Sequence, residues 1–237
     1  MKVIGIIPSR YDSSRFPGKP LANILGKSMI QRVYEQCKKS SYLSKVVVAT
    51  DDKRIFNHVQ AFGGKVIMTS KSHHTGTDRC NEAVQSLEEK YDVAINIQGD
   101  EPYINPEQID QVASLFNSEK VSIVTLAKKI KNDSIIKDIN SPKAIFDKNG
   151  IALNFCRTIL NPEKEKTYFK HIGIYGYRIN TLAEICELPP SENEIKERLE
   201  QLRWLDNKYA IRVGVTHHEG MSVDTLEDIE KIKAQMG

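Results

Sequence analysis

The chain has 237 residues, of which 40% are hydrophobic and 27% charged, and its formal net charge is +3. This is the composition of an ordinary globular protein, and the small charge without a dense basic run argues against a nucleic-acid-binding protein. No apolar run approaches the roughly 20 residues needed to cross a bilayer, and no signal peptide precedes the first strand. We therefore expect a cytoplasmic protein without membrane insertion. Its four cysteines lie far apart and predict reduced thiols.

Short apolar runs alternate with amphipathic helical patterns through the first half of the chain. In chain order the stretches are KVIGIIP (strand), KSMIQRVYEQCKKS (helix), KVVVATDD (strand), KRIFNHVQAFGG (helix), KVIMTS (strand), TDRCNEAVQSLEEKY (helix, with Thr77 as N-cap), VAINIQGD (strand) and NPEQIDQVASLF (helix). Four such alternations with short connections predict an α/β fold, with a mostly parallel central sheet flanked by helices. Ligands of such sheets bind beyond the carboxyl ends of the strands, here residues 9–19, 50–52, 70–79 and 98–102.

The second half of the chain is richer in strands. KAIFDKNGIALNFCR predicts a hairpin that turns at Asn149–Gly150, and VSIVTLAKKI, KHIGIYGYR and AIRVGVT predict further strands. ENEIKERLEQLRWLDN and TLEDIEKIKAQM predict helices. Because no flexible linker separates the halves, we expect a single domain over residues 1–237, in which about residues 130–180 form a small β-rich cap.

A basic loop follows the first strand. Arg10, Arg15 and Lys19 lie within ten residues, and Pro17 and Gly18 shape the chain between them. The loop has neither the GxGxxG of a dinucleotide site nor the first glycine of a P-loop. A solvated basic surface would explain any one of these cations. The cluster, placed after the first strand, favours an anion site for phosphate groups.

Two aspartates follow later strands at the expected ligand-binding edge. Asp100 comes directly after the fourth strand, and Asp224 precedes the last helix. Magnesium often uses one or two carboxylates together with phosphate oxygens and water. Either aspartate could instead form a turn or cap a helix, and spacing does not decide between these interpretations.

Seven motifs occur in one order along the chain: IIPSRYDSSRFPGKPL, VVVATDD, GTDR, NIQGDEP, KHIGIYGYR, LEQLR and SVDTLEDI. Together they resemble the 3-deoxy-manno-octulosonate (Kdo) cytidylyltransferases, from Val3 to about Lys233. The resemblance implies a fold of the nucleotide-diphospho-sugar transferase type. It also implies CMP transfer from CTP to the anomeric hydroxyl of Kdo, with release of pyrophosphate, for lipopolysaccharide biosynthesis. We further expect Mg²⁺ dependence and a homodimer, with the cap contributing to dimerisation.

The same resemblance assigns roles to individual residues. The expected nucleotide-binding residues are Ser9, Arg10, Ser14, Arg15, Lys19, Thr75, Gly76, Thr77, Arg79 and Gln98. The expected sugar-binding residues are Gln98, Arg157, His171, Tyr175, Glu200 and Gln201. Arg15, Lys19, Asp100 and Asp224 are the expected catalytic residues, the two aspartates as metal ligands.

Alternatives remain for these positions and for the function. Glu200 and Gln201 could be solvated helix positions, and His171 a buried core histidine. The adjacent pairs His73–His74 and His217–His218 are interpreted as non-functional, because neighbouring side chains on a strand point apart. Related substrates are an amino analogue of Kdo or a sialic acid, and a rival from another class is a catalytically inactive nucleotide-binding protein.

Overall fold

The computed structural model describes residues 1–12, 16–163 and 165–236, with side chains as far as residue 234. The strands are β1 (Val3–Ser9), β2 (Asn23–Ile24), β3 (Lys27–Ser28), β4 (Leu43–Thr50), β5 (Val66–Met68), β6 (Val93–Asn96), β7 (Ile123–Lys129), β8 (Lys143–Phe146), β9 (Ala152–Cys156), β10 (Phe169–Arg178) and β11 (Ile211–Thr216). The α-helices are α1 (Met29–Cys37), α2 (Lys53–Ala61), α3 (Gly76–Gln85), α4 (Pro106–Ser114), α5 (Asp133–Lys137), α6 (Ile179–Cys186), α7 (Glu192–Glu197), α8 (Gln201–Asp206) and α9 (Leu226–Met236). Short 3₁₀ helices cover Lys19–Leu21 and Leu115–Asn117.

The chain divides into two compact units. The first contains Met1–Asp110 and Glu219–Gly237, and the second contains Gln111–His218. The region predicted as a cap, about residues 130–180, lies within the second unit. Among the described residues, no helix combines the length and the apolar character that a membrane span requires.

The first unit contains four parallel strands in the order β6-β1-β4-β5. The valine and isoleucine side chains of β1, β4 and β6 are buried on both faces, which explains why these runs are continuously apolar instead of alternating. Ser9 at the end of β1 pairs with Thr50 at the end of β4. The segments that leave β1, β4 and β6 therefore emerge at one edge of the sheet, as the α/β pattern predicted.

The helices α1, α2 and α3 begin at side-chain caps. Thr75 is the N-cap of α3, where its hydroxyl accepts a hydrogen bond from the Asp78 amide and the Asp78 carboxylate accepts one from the Thr75 amide. The prediction that Thr77 caps this helix is therefore wrong by two residues. Thr77 is buried in the first turn, and the reciprocal pair between Thr75 and Asp78 starts the helix earlier.

A small apolar cluster holds the C-terminal helix of the first unit. Val223, Ile229 and Ile232 pack against Ile24 and Met29. The Val223 amide also donates a hydrogen bond of 2.9 Å to the carbonyl oxygen of Asp100. Packing and this bond together bring the segment before α9 beside the end of β6.

The second unit contains a mixed sheet. β7 lies between β11, which is parallel to it, and β10, which is antiparallel. β8 pairs with β10 and with β9, and the β8–β9 hairpin turns where Asn149–Gly150 predicted it. Gly150 has φ of +75°, and a side chain there would approach the Val213 carbonyl oxygen to 2.9 Å. Only glycine satisfies both constraints without strain.

The single helix predicted from ENEIKERLEQLRWLDN is wrong, because the structure divides it into α7 and α8. Arg198 ends α7 in the left-handed conformation, with φ of +54°. Its amide still bonds to the Glu194 carbonyl, so α7 is closed there, and α8 begins at Gln201. A non-glycine residue in this conformation is not visible in helical periodicity, which explains the error.

Candidate active site

A cavity of about 280 Å³ lies at the carboxyl edge of the parallel strands in the first unit. It is lined by Pro8, Ser9, Arg10, Lys19, Pro20, His73, His74, Thr75, Gly76, Arg79, Gln98, Gly99, Asp100 and Asp224. The structure therefore brings together segments that follow β1, β5 and β6, together with the segment before α9. This is the edge at which ligands of parallel α/β sheets bind.

The Lys19 ammonium joins the two predicted metal carboxylates. Its Nζ atom lies 2.8 Å from Oδ2 of Asp100 and 3.6 Å from Oδ1 of Asp224. It also donates a 2.8 Å hydrogen bond to the Val223 carbonyl oxygen. Gly18 before it has φ of +74°, and Pro20 is buried behind it in the 3₁₀ turn. The loop geometry thus directs a largely buried lysine at both carboxylates.

The two carboxylates fit a magnesium ion. Both reach one positive charge, so they converge on a single point, and a Mg²⁺ ion needs only one or two carboxylates when phosphate oxygens and water complete its shell. Within the described parts of the chain, no three His, Cys, Asp or Glu side chains form a metal-binding group. Two converging carboxylates suit an ion that arrives with a phosphate ligand.

The N-terminus of α3 faces the same cavity. Thr75 and Gly76 line it, and the exposed amides and dipole at a helix N-terminus attract anions. Ser9 adds a hydroxyl that is buried without a hydrogen-bond partner among the described residues. A side chain at position 99 would come within 3.0 Å of the Pro8 carbonyl oxygen, so Gly99 allows the segment carrying Asp100 to pass close to β1. These features suit a phosphate-bearing ligand.

Arg79 connects strand ends beneath the cavity. Its guanidinium donates hydrogen bonds of 2.8 Å to Asp51 Oδ2, 2.5 Å to Thr69 Oγ1 and 3.2 Å to the Ser70 carbonyl. The side chain is only 4% exposed, yet it lines the cavity. Arg79 therefore ties the segments after β4 and β5 to α3, and it shapes the wall expected to hold the nucleotide.

Asp228 supports the segment that carries Asp224. Its Oδ2 atom accepts hydrogen bonds from the Asp224 amide at 3.1 Å and from the Thr225 amide and hydroxyl at 3.0 Å. Burial tends to raise the pKa of Asp228, but these bonds more than offset it, and the pKa lies below its usual value. The ionised carboxylate thus holds the backbone of Asp224 in place.

The structure divides the expected nucleotide-binding residues into three groups. Ser9, Arg10, Lys19, Thr75, Gly76, Arg79 and Gln98 line the cavity. Thr77 is buried in α3 and is not among the lining residues. Ser14 and Arg15 lie outside the described residues, so their roles stay predictions from the sequence.

The cavity also includes two residues that sequence reasoning set aside. His73 and His74 both line it, and His73 forms a very short contact with the Glu82 carboxylate. The prediction that these two histidines are non-functional considered only whether adjacent side chains could bind one metal ion together. Their position directly after β5, within the segment 70–79, was the signal that could have placed them at the ligand-binding edge.

Four of the expected sugar residues lie together in the second unit. His171 and Tyr175 are buried on β10 with ring centroids 5.4 Å apart. Burial and the nearby Glu200 carboxylate raise the pKa of the Tyr175 hydroxyl well above its usual value. Gln201 begins α8, is only 3% exposed, and its Nε2 atom has no hydrogen-bond partner among the described residues. The group therefore offers buried polar atoms, which suits a hydroxyl-rich ligand.

Trp204 and Thr125 hold this cluster in place. The Trp204 ring packs edge-on against Tyr175 and Tyr177, with centroid distances of 5.2 and 5.5 Å, and so fixes α8 against β10. Thr125 Oγ1 lies 2.9 Å from Nε2 of His171. Burial lowers the pKa of His171 to about 3, so the imidazole is neutral at physiological pH.

Arg157 directs its guanidinium at backbone carbonyls of the same unit. Nε, Nη1 and Nη2 donate to the carbonyl oxygens of Glu197, Ile139 and Arg198 at 2.7, 3.0 and 3.1 Å. The pairing with a sugar carboxylate that the resemblance implies would use the same donors. The sequence could not reveal these partners, because carbonyl groups carry no residue-specific signal.

Known proteins resemble this chain over nearly its whole length. A family model described as cytidylyltransferase matches residues 4–213. The 3-deoxy-manno-octulosonate cytidylyltransferases of Parabacteroides distasonis and Phocaeicola vulgatus are 52% and 50% identical to this chain, each over 99% of it and over 98% and 97% of their own length. A solved CMP:2-keto-3-deoxy-manno-octonic acid synthetase complexed with CTP is 38% identical, with a TM-score of 0.94, and the match covers 100% of this chain and 98% of that one. The predicted fold class is thus confirmed, and the chain belongs to the 3-deoxy-manno-octulosonate cytidylyltransferase family.

Proposed function

We propose that the protein transfers CMP from CTP to the anomeric hydroxyl of Kdo and releases pyrophosphate, as the names of its relatives imply. The observation that carries the proposal is the convergence of Lys19, Asp100 and Asp224 at the phosphate-suited cavity. A cation beside paired carboxylates at a helix N-terminus suits a triphosphate with its metal ion. The product, a CMP-activated acidic sugar, would serve lipopolysaccharide biosynthesis in the cytoplasm.

The reaction we propose is an in-line displacement at the α-phosphorus. The anomeric oxygen forms a new bond to phosphorus as its proton passes to water, and the bond to the pyrophosphate oxygen breaks, so that pyrophosphate leaves. Positioning and electrostatic stabilisation account for most catalysis of this type. Lys19 would neutralise charge on the triphosphate, the amides at the start of α3 would bind its oxygens, and Arg10 and Arg15 would add positive charge.

Asp100 and Asp224 would hold Mg²⁺. When bound there, the ion would polarise phosphate oxygens and offset the charge of the leaving group. Because the Lys19 ammonium contacts both carboxylates, an ion that took the same carboxylate oxygens would displace Lys19 from at least one of them. The lysine is then available to the phosphate groups, which links its two proposed roles.

In the second unit, we assign the sugar to the cluster of His171, Tyr175, Glu200 and Gln201. A neutral histidine, a tyrosine hydroxyl that stays protonated, a carboxylate and an amide provide both donors and acceptors. Sugar hydroxyls need both. The unpartnered Nε2 of Gln201 supports this assignment, because buried polar atoms without a partner are rare unless a ligand satisfies them.

We also propose a homodimer through the region of residues 130–180. This region exposes apolar side chains that a single copy leaves in contact with solvent: Ile139 at 59%, Ile145 at 38%, Leu153 at 64% and Leu160 at 84%. Exposed apolar groups of this kind mark interfaces more often than random surface does. Light scattering on the purified protein tests the proposal, with Leu160→Glu expected to shift the mass towards the monomer.

Pyrophosphate release tests the function. Each of CTP, ATP, GTP and UTP is incubated with Mg²⁺, with or without Kdo, and release is expected only with CTP and Kdo together. Release with a sialic acid or an amino analogue of Kdo, but not with Kdo, would keep the reaction and change the substrate. No release with any acidic sugar would leave a nucleotide-binding protein without this activity.

A further inference from the structure

A contact between a cation and an aromatic ring joins the basic loop after β1 to the helix after β4. The guanidinium carbon of Arg54 lies 3.2 Å from the centroid of the Tyr11 ring, a distance at which the two groups attract each other. Tyr11 belongs to the basic loop, whereas Arg54 lies in the first turn of α2. Neither residue lines the cavity, so the contact acts on the loop from outside the candidate site.

The cap of α2 fixes the orientation of the Arg54 side chain. Asp52 is the N-cap, and its carboxylate accepts a hydrogen bond from the Arg54 amide. The same carboxylate accepts two from the guanidinium, from Nε at 2.9 Å and from Nη2 at 2.6 Å. These side-chain bonds lower the pKa of Asp52 to about 2, so its carboxylate is ionised at neutral pH. A guanidinium can pair along one edge and still offer its flat face to a ring, which an ammonium cannot do.

Tyr11 also packs against Gly18, farther along the same loop. The Gly18 amide donates a 2.9 Å hydrogen bond to the Tyr11 carbonyl oxygen. A side chain on Gly18 would come within 3.1 Å of the ring carbon Cζ and the hydroxyl of Tyr11, and the φ of +74° already disfavours any other residue there. The ring of Tyr11 therefore contacts Arg54 on a neighbouring helix and Gly18 within its own loop.

The residues that Tyr11 holds lead directly to two cations of the cavity. Lys19 follows Gly18 and begins the 3₁₀ turn, in which the Leu21 amide bonds to the Gly18 carbonyl oxygen at 2.9 Å. Arg10 precedes Tyr11, and both Arg10 and Lys19 line the cavity. A displacement of the Tyr11 ring would therefore shift both of these cavity-lining cations.

We propose that Arg54 is a positioning residue for triphosphate binding: by stacking on Tyr11, it holds the basic loop, and with it Lys19, in place at the cavity. The proposal rests on the function above, in which Lys19 contacts the triphosphate. It assigns Arg54 no contact with the nucleotide, because its guanidinium is engaged by the ring and by Asp52 outside the cavity. A loop that is ordered before the ligand arrives binds it more tightly, so loss of the contact should weaken binding.

The first experiment measures Kd for CTP with Mg²⁺ by titration calorimetry, in the absence of sugar. Lys2→Ala is the matched control for Arg54→Ala, because Lys2 lies 5.2 Å from the centroid of the Tyr91 ring and pairs with Glu89, but precedes β1 at the opposite end of the strand. Arg54→Ala should raise Kd about fivefold, and Lys2→Ala should leave it within about 1.5-fold. KM for Kdo should stay within about twofold in both. An unchanged Kd in Arg54→Ala would overturn the proposal.

Variants of Tyr11 separate stacking from charge. Arg54→Ala also removes a positive charge, whereas Tyr11→Leu removes the ring and keeps every charge, and it should raise Kd by the same factor. Tyr11→Phe keeps the ring face and should bind CTP as the wild type does. An unchanged Kd in Tyr11→Leu would mean that Arg54 acts through its charge or touches the nucleotide, and equally weak binding by Tyr11→Phe would assign the effect to the hydroxyl. Either result would overturn the proposal.

A double-mutant cycle tests whether the two residues act through one contact. The variant that combines Arg54→Ala with Tyr11→Leu should bind CTP about as tightly as either single variant, because both substitutions remove the same interaction. Fully additive losses would show that the two side chains act independently and would overturn the proposal.

Two readouts separate this proposal from the proposed function. Inorganic tripolyphosphate with Mg²⁺ carries neither base nor sugar, and Arg54→Ala should weaken its binding by the same factor; an unchanged affinity would overturn the proposal. Hydrogen exchange at the Gly18 and Leu21 amides, without ligand, should be at least about threefold faster in Arg54→Ala than in Lys2→Ala. Equal exchange rates would refute the positioning role even in an active enzyme. Faster exchange and weaker tripolyphosphate binding would support it even if no sugar proved to be a substrate.

Discussion

The Nζ atom of Lys19 donates a 2.8 Å hydrogen bond to Oδ2 of Asp100, and the same ammonium lies within ion-pair distance of Asp224. The lysine therefore occupies the point on which both carboxylates converge. A divalent cation that uses these carboxylates competes with an ammonium belonging to the protein. Removal of the ammonium should therefore change the affinity for the metal ion, and this change can be measured without an activity assay.

Replacing Lys19 with methionine should strengthen Mg²⁺ binding while it weakens catalysis. Without the ammonium, millimolar Mg²⁺ should raise Tm more than in the wild type, because binding to the native state stabilises it. Activity should fall by about 100-fold or more, the usual effect of removing a group that stabilises developing charge. Lys27→Met is the control, since Lys27 forms an exposed pair with Glu35. A smaller Mg²⁺-dependent rise in Tm than in the wild type would contradict the competition.

Asp228→Ala should impair catalysis although it leaves the two proposed metal ligands, Asp100 and Asp224, unchanged. The substitution removes the acceptor for the Asp224 and Thr225 amides, so the Asp224 carboxylate loses its fixed position. We expect a fall in kcat of about tenfold, a higher Mg²⁺ requirement and a loss of about 1 kcal/mol in the free energy of unfolding. Glu230→Ala, on the same helix and ion-paired at the surface with Lys233, should change none of these. Unchanged Mg²⁺ dependence in Asp228→Ala would show that Asp224 is held by other contacts.

Two arginine–aspartate pairs should differ sharply in their effect on stability. Arg79 is 4% exposed in its pair with Asp51, whereas Arg54 is 57% exposed in its pair with Asp52. Arg79→Met leaves a partly buried carboxylate without its partner and should lower the free energy of unfolding by about 3 kcal/mol. Arg54→Met should lower it by less than about 1 kcal/mol, since exposed pairs contribute little. Urea titration of both variants measures the difference, and equal losses would mean that the Arg79 pair is effectively solvated.

His171 should make the protein less stable in mild acid. Burial lowers its pKa in the folded state to about 3, whereas the unfolded chain has an ordinary value near 6.5. Between these values only the unfolded state takes up the proton, so stability falls as the pH drops below about 6.5. The contribution is about 1.4 kcal/mol for each pH unit in that window. Urea midpoints from pH 7.5 to 4.5 should fall less steeply in His171→Gln; an identical slope would exclude this histidine as the source.

Local sequence signals predicted most of the first unit and the edge at which its site lies. The β-branched runs of the first unit, and the Asn149–Gly150 turn of the second, each act through their own residues or near neighbours, so their structure follows from the sequence alone. The positions of Lys19 and Asp100 after strands predicted that both lie at one edge of the sheet, whereas spacing left the role of Asp224 open, and the structure brings all three together. Their direct contact was not predicted, because it depends on three segments far apart along the chain.

Other features depend on backbone groups that no residue pattern identifies. The break at Arg198 required a left-handed non-glycine residue, and helical periodicity continues across it. The partners of Arg157 are carbonyl oxygens, which every residue possesses. Thr75 and Thr77 are both plausible caps, and only Asp78 at the correct spacing from Thr75 decides between them.

The contact between Lys19 and the Val223 carbonyl spans 204 residues, and it has a consequence for synthesis of the protein. During translation, Lys19 and Asp100 leave the ribosome long before Asp224. The nascent chain can form its parallel strands early, but it carries only one of the two carboxylates. The cavity therefore gains its second carboxylate only after the last helix has packed into the first unit, so binding of the proposed CTP and Mg²⁺ would report the end of folding, not its beginning.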